Sequence, residues 1–371
     1  MSSGKKWRAL PVVTAAALAL VLAACGSSSS GGGGGSSSSG AKAKKVGVIL
    51  PDATTSPRWE ANDRPSLTKA FTDAGLQSDI QNAGGDKAKF GTICDSMINE
   101  GVAVIMIVNL DSDSGGACLK KAAAAGIKSI DYDRLTLGGG ASYYVSFDNV
   151  KVGALMGTGL EQCLGAKAQG AGVVYVNGDP TDNNASLFKK GYDDQLKTDG
   201  KVKILSSDKS GFWDAKKAGV AFDGLYTQFG SKIQGVISAN DTMAGGIIAS
   251  LKRNGLAGKV PVTGQDASVE GLQRILAGTQ CMTVYKNTNL EADAASKLAI
   301  DLTKGDQAAA DALATGSVKD TVTGKDVKSA LATPQAIFQD TVKTVISDGF
   351  QKASDVCSGA FAAACTKYGV S

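Results

Sequence analysis

From Lys45 onward the chain repeats one unit: a short apolar run, an abrupt polar tip, then a stretch with the 3.6-residue rhythm of an amphipathic helix. Residues 46–50 form the first apolar run and stop at Pro51-Asp52, before a loop with Arg58-Trp59 and a helix over 67–74. A weaker strand at 77–81, a helix at 90–99 and a strongly apolar strand at 102–108 ending in Asn109 follow. A helix over 118–125 then leads to a strand over 129–132 that ends in Asp133-Arg134. Four or five such units in about 90 residues make a complete small doubly wound lobe.

A strand at 143–147 closes this series, and Asp148-Asn149 opens a second one of the same kind. It contains helices at 153–164, 185–197 and 215–229, strands at 172–176 and 202–205, and a Phe212-Trp213 loop. Its most informative stretch is 235–267. One apolar run ends at Asn240-Asp241, a Gly-rich helix over 244–254 follows, and a second run ends at Gln265-Asp266. A right-handed crossover makes the two strands parallel, so both polar tips emerge at the carboxyl edge of the sheet, where open α/β folds bind ligands. Each pair taken alone also reads as turn and helix-cap residues. Recurrence along the chain argues for more. After a helix over 270–277 and a strand over 280–285, Lys286 marks a crossing back to the first lobe, and the tail reads as less regular and partly loop.

The predicted class is therefore α/β, with two doubly wound Rossmann-like lobes, as 371 residues exceed one comfortable core. The expected organisation is 1–24 leader, 25–44 tether, 45–147 plus 286–320 first lobe, 148–285 plus 321–352 second lobe, and 353–371 extension. The leader has Lys5, Lys6 and Arg8 before an apolar run ending in small residues, a secretory signal. Leu22, Ala23, Ala24 and Cys25 resemble the bacterial lipobox, which implies lipid on Cys25 and a stable membrane anchor. Residues 26–40 are only Ser and Gly, so the tether spans roughly 25 Å r.m.s..

The formal charge of +4 falls to about +1 without the leader, and no nucleic-acid footprint is visible. The chain has no histidine, which removes the commonest metal ligand and general base and argues against a zinc site or a Ser/His/Asp triad. Neither a metal nor a cofactor is expected. Ser66 to Lys69 matches S-x-x-K and Gly258-Lys259 ends like a P-loop, but both lack the accompanying residues and are chance matches.

The tips bring together arginines, a lysine, carboxylates, amides and indoles, provided that two lobes face each other carboxyl edge to carboxyl edge. Planar polar groups pair with vicinal hydroxyls and an indole face covers the C–H face of a sugar ring, so the mixture suits a neutral sugar. The order of Arg58-Trp59, Asp133-Arg134, Ser146-Phe147-Asp148-Asn149, Asp182-Asn183-Asn184, Ser238-Ala239-Asn240-Asp241, Gly264-Gln265-Asp266-Ala267 and Val284-Tyr285-Lys286 resembles the xylose-binding proteins of bacterial ABC sugar importers. The resemblance runs from about Lys45 to about Phe350; the loop 51–57 and the extension 353–371 depart from it. It implies a type I periplasmic-binding-protein fold with a three-strand hinge, closing on a monosaccharide. It also implies that Arg58, Arg134, Asn184, Asn240, Asp266 and Lys286 bond the hydroxyls, that Asp182 assists, and that Trp59 and Trp213 sandwich the ring. The implied partners are a membrane permease and the membrane itself, with the protein a monomer.

Six cysteines besides Cys25 fit an oxidising compartment. Of fifteen possible pairings, the sequential set Cys94–Cys118, Cys163–Cys281 and Cys357–Cys365 is favoured, because the helices of the first pair flank one strand, the second pair shares a lobe and the third closes a local loop. Free buried thiols are the alternative. Two rival functions stay open. One is a sugar sensor for a chemoreceptor or kinase; the other is a glycoside hydrolase using Asp182 and Asp266, disfavoured by an expected surplus of cations that keeps both acids ionised.

Overall fold

The computed structural model describes residues 44–54 and 56–370, which belong to one compact unit. The leader, Cys25 and the Ser/Gly tether lie outside the described residues. The first lobe holds β1 (Lys45–Leu50), α1 (Arg64–Asp73), β2 (Gln77–Asn82), α2 (Lys87–Asn99), β3 (Val104–Ile107), α3 (Ser112–Ala124), β4 (Lys128–Tyr132) and β5 (Tyr143–Phe147). The second holds α4 (Asn149–Leu164), β6 (Gly172–Asn177), α5 (Asn183–Asp199), β7 (Lys203–Ser210), α6 (Ala215–Phe229), β8 (Gly235–Ser238), α7 (Asp241–Arg253), α8 (Val269–Leu276) and β9 (Thr283–Tyr285). The chain then returns to the first lobe through α9 (Thr288–Lys304), α10 (Gln307–Leu313), β10 (Gly316–Lys319) and β11 (Asp326–Ala332). It ends in the second with β12 (Gln335–Ile337), α11 (Val342–Ser347), α12 (Ala353–Val356) and α13 (Ala362–Tyr368).

The apolar runs are continuous because the first sheet is covered on both faces. Val46, Val48 and Leu50 of β1 enter one core layer with Val104 and Met106 of β3, while Ile49, Ile105 and Ile107 point into the other. The strand order is β10-β11-β5-β4-β3-β1-β2, parallel except for β10 against β11. In the second lobe β7-β6-β8 is continued by single bridges, Val236 to Val262 and Gln265 to Val284, toward the antiparallel pair β9-β12. The chain changes lobe after Phe147, after Tyr285 and between β11 and β12. Two of these crossings touch, with Asp148 N donating to the Ala332 carbonyl at 3.1 Å.

The structure differs from the sequence reading in its tail. Residues 326–332, expected in the second lobe, form β11 and pair in parallel with β5 of the first. This strand carries Lys328 and Ser329 beside its alanines, so only its pairing partner defines it. The return segment, for which no element was expected, is helical: α9 lies across the first sheet with Ala292, Ala295, Leu298 and Ala299 buried. Residues beyond 352 close over α8 of the second lobe, burying Val356, Cys365 and Val370 with Leu272 and Ile275. Most helices also begin earlier than their apolar rhythm suggests. Their first turns are polar and are set by caps such as Asp86, Asp111 and Asp148, whose carboxylates accept backbone N–H groups.

The structure joins Cys94 to Cys118, Cys163 to Cys281 and Cys357 to Cys365, with Cα separations of 5.9, 6.3 and 5.7 Å. No helix of the described residues is long and apolar enough to cross a membrane.

Helices α4 and α5 cross where Gly153 faces Gly191. A Cβ on Gly153 would lie 2.0 Å from the Phe188 carbonyl oxygen, which is backbone and cannot turn away. Gly153→Ala is therefore expected to cost about 2–3 kcal/mol in urea unfolding. A loss under 0.5 kcal/mol would show that the crossing is not this tight.

Candidate ligand-binding site

The polar tips of both lobes converge on one small cavity, of about 30 Å³, lined by all nine residues expected from the sequence. Arg58, Trp59, Arg134, Asp182, Asn184, Trp213, Asn240 and Lys286 are all buried. The two lobes are closed on one another.

Local chemistry explains how each side chain is aimed. Residues 59–63 form a wide π-helical turn ahead of α1, which brings Arg58, Trp59 and Asp63 to the cavity side of the first lobe. At the end of β4, Asp131 accepts from Thr136 N and Oγ1, and Asn109 Nδ2 bonds the Arg134 carbonyl and Thr136 Oγ1; together they fold the chain back around Asp133-Arg134. Burial pushes the Asp131 carboxyl up to about 7. The non-glycine residues with left-handed backbone among those described are Asp133, Phe212, Trp213, Asp266 and Ala267. Three of them line the cavity and the other two adjoin them, the placement expected when strain is held at a functional site. Trp213 lies across Gly178, where a Cβ would come within 2.0 Å of the indole.

Tip residues cap helices and also face the cavity. Asp182 Oδ1 accepts Asn184 N while Oδ2 lies 3.0 Å from Arg134 Nε. Asn240 Oδ1 caps α7 through Met243 N, leaving its amide nitrogen for the cavity. Asp241 behaves differently. Its carboxylate accepts from Ser268 N, Gln280 Nε2 and Thr283 Oγ1 inside the second lobe, so it supports the fold and does not line the cavity.

The two arginines differ in what they have to offer. Arg58 donates Nε and Nη2 to Asp63, Nη1 to Asp133 at 2.7 Å and Nη2 again to Glu291 at 2.6 Å, using four of its five N–H groups. Burial opposes its charge, yet the three carboxylates outweigh that and hold its pKa well above the ordinary value. Arg58 is thus first a structural centre and has one N–H left for a ligand. Among the described residues Arg134 makes one hydrogen bond, from Nη1 to the Asn109 carbonyl, and its Nε is not directed at Asp182 despite the short separation. Lys286 Nζ lies 3.2 Å from Asp266 Oδ1, with the rings of Phe147 and Phe188 5.8 and 5.7 Å away.

Asp133, Gln265, Phe188 and Ser56 also line the cavity and were not among the expected site residues. Phe188 stands four residues after Asn184 on α5, so helical spacing was the available signal. Its ring meets Trp213 edge to face at 6.3 Å. One face of Trp59 is covered by the Arg58 guanidinium 4.3 Å from the ring centroid, leaving at most the other to the cavity.

The expected surplus of cations is not found. Arg58, Arg134 and Lys286 meet five carboxyl groups, those of Asp63, Asp133, Asp182, Asp266 and Glu291. Burial pushes the Asp182 carboxyl up against the pull of Arg134, and it pushes Glu291 well above the carboxylate range despite Arg58. Asp133 is also penalised by burial, but Arg58, Lys286 and Arg134 outweigh this and hold it low. Charge counting therefore does not decide against a hydrolase, and the relatives do.

This fold and cleft define a two-lobed solute-binding protein, and the sequence profile of the periplasmic binding protein domain matches residues 46–307. The chain belongs to that family, in the branch of the xylose-binding proteins. It is 35% identical over 320 residues to the D-xylose-binding periplasmic protein of Escherichia coli K12, covering 85% of this chain and 93% of the relative. It is 32% identical to the multiple sugar-binding periplasmic receptor of Rhizobium radiobacter, covering 84% and 92%. Among solved structures, a carbohydrate transporter solute-binding protein of Chloroflexus aurantiacus in complex with D-glucose superposes with a TM-score of 0.77 at 27% identity, over 84% of this chain and 98% of that one. These relatives are sugar-binding or solute-binding proteins and not enzymes.

Removing Arg58 leaves three buried carboxyl groups without their cation. Arg58→Met is expected to cost about 3–5 kcal/mol in urea unfolding. Arg134→Met, whose partner Asp182 is on the opposite lobe and regains water on opening, should cost less than half as much. Equal losses would contradict the division of roles between the two arginines.

Proposed function

We propose that this chain is the extracytoplasmic solute-binding lipoprotein of an ABC importer, and that it captures a monosaccharide, D-xylose first among candidates, by closure of two lobes. The observation that carries this reading is the single buried cavity in which amides, carboxylates, cations and indole rings from both lobes converge. Arg134, Asn240, Asp266 and Lys286 supply donors and acceptors for hydroxyls, Asp182 assists, Arg58 contributes its last N–H, and Trp59, Trp213 and Phe188 supply apolar faces. Charge-assisted hydrogen bonds of about 1.5–3 kcal/mol each support micromolar or tighter binding after ordering costs. The sugar favours the closed state because it contacts both lobes only there. The names of the relatives support a sugar as ligand and xylose as the first to try. The lipobox-like residues before Cys25 support the anchor, from which a permease on the same membrane is within reach.

Titration calorimetry of the soluble chain from about Ala41 with xylose, ribose, arabinose, glucose and galactose, read with tryptophan fluorescence, tests the ligand. Micromolar or tighter binding of xylose with a change in emission is expected. Tight binding of another sugar corrects the ligand, and silence across the panel refutes the function. For the anchor, full-length protein expressed in a bacterial host should fractionate with membranes, and Cys25→Ser should release it. Membrane association unaffected by that change would exclude lipid on Cys25.

A further inference from the structure

A second chamber lies beside the cavity, between the same two lobes. Its volume is about 140 Å³, against about 30 Å³ for the cavity, and Ser56, Arg58 and Asp266 line both. Asp266 is the one of the nine expected site residues that is not buried, its side chain keeping 15% exposure at this shared wall. The chamber reaches solvent at Pro57 and Glu270, both exposed. On the first lobe it is walled by Ser56 and Pro57 and by the π turn, and these two residues belong to the loop 51–57, where the chain departs from the family resemblance. On the second lobe its walls are the first turns of α7 and α8 and the residues that follow α11.

The lining offers polar groups that the protein itself leaves unused. Ser56 Oγ and the Asn62 amide on the first lobe, and Thr242 Oγ1 on the second, form no hydrogen bond with the described residues. Gln351 gives Nε2 to the Ala267 carbonyl at 3.2 Å and keeps its side-chain oxygen, while Glu270 brings a carboxylate. The Phe350 ring, 5.2 Å from that of Tyr285 between centroids, supplies an apolar wall. Hydroxyls, amides, a carboxylate and an aromatic face are the mixture that suits a sugar in the cavity itself. One water needs only about 10–15 Å³, so the chamber has room for more than a hydroxymethyl substituent. We infer that it is a second subsite, which takes the next ring of a disaccharide whose first ring fills the cavity. This inference rests on the sugar-binding reading above and extends its ligand class from monosaccharides to disaccharides, through the opening beside Asp266.

The experiment is calorimetric titration of the unsubstituted chain and of Thr242→Trp with D-xylose and with the β-1,2-, β-1,3- and β-1,4-linked xylobioses, or with the corresponding disaccharides of whichever monosaccharide the chain binds. Thr242 lines the chamber and not the cavity, so the indole fills the second subsite and leaves the first as it is. At least one disaccharide is expected to bind the unsubstituted chain within about tenfold of the monosaccharide. Thr242→Trp should weaken that disaccharide by about tenfold or more, the loss of two or so hydrogen bonds, and should leave the monosaccharide within about twofold. If Thr242→Trp does not fold, Asn62→Trp fills the chamber from the opposite lobe with the same expectation. Disaccharides all more than about tenfold weaker than the monosaccharide would overturn the second subsite, and so would a variant that weakens both classes alike. Failure of the unsubstituted chain to bind any sugar counts against the functional reading; binding of the monosaccharide alone counts against the second subsite and leaves that reading in place.

Discussion

Everything at the cavity depends on the placing of one buried guanidinium. Arg58 is enclosed by Asp63, Asp133 and Glu291, which come from the π turn, the end of β4 and α9, three segments far apart in sequence. A buried charge is tolerated only when its hydrogen-bonding capacity is met, and here four donors are met by protein. Tyr132 adds its hydroxyl to Asp63 from the neighbouring strand. The network thereby fixes the loop after β1 against the loop after β4 and ties both to the helix that follows the second crossing. Trp59 and Arg134 inherit their positions from it.

The second lobe is organised by a different economy. Its cavity residues are helix caps and strand tips, so one side chain satisfies the first turn of a helix with one atom and faces the cleft with another. Asp182 and Asn240 both do this. The cap holds the rotamer, which is the pre-organisation a binding site needs. Left-handed backbone at Trp213 and Asp266 turns their side chains out of the line of the sheet, at a conformational cost borne by the packed lobe around them.

Closure joins these two halves. At the cavity the lobes meet through hydrogen bonds from Asn184 to Asp133 and from Asn149 to Tyr144 and Ser146, and through the charges of Arg134 and Asp182. Contacts of this kind suit a reversible binder: much stronger ones would close the cleft without a ligand, and with none the ligand would supply the whole free energy of closing. The crossings between lobes are correspondingly slight, a backbone bond between Asp148 and Ala332 being among their contacts.

The doubly wound class, the two series of units and the tips that line the cavity were all legible in the sequence. Period and polarity are local, and parallel strands place their ends at one edge without further information. Less legible were β11 and α9, because an edge strand rich in small and polar residues and a helix faced with alanines carry little periodic signal until they meet a sheet. Asp133 and Gln265 were visible beside chosen residues, but nothing local says which of two adjacent polar side chains turns inward. Only the tertiary structure decided that Arg58 spends its donors on Asp63, Asp133 and Glu291, that acids outnumber cations around the cavity, and that the amide of Asn184 donates across the cleft to Asp133. Each of these is a matter of hydrogen-bond partners and burial, supplied by segments up to 233 residues apart in the chain, and a sequence specifies such partners only through the fold that brings them together.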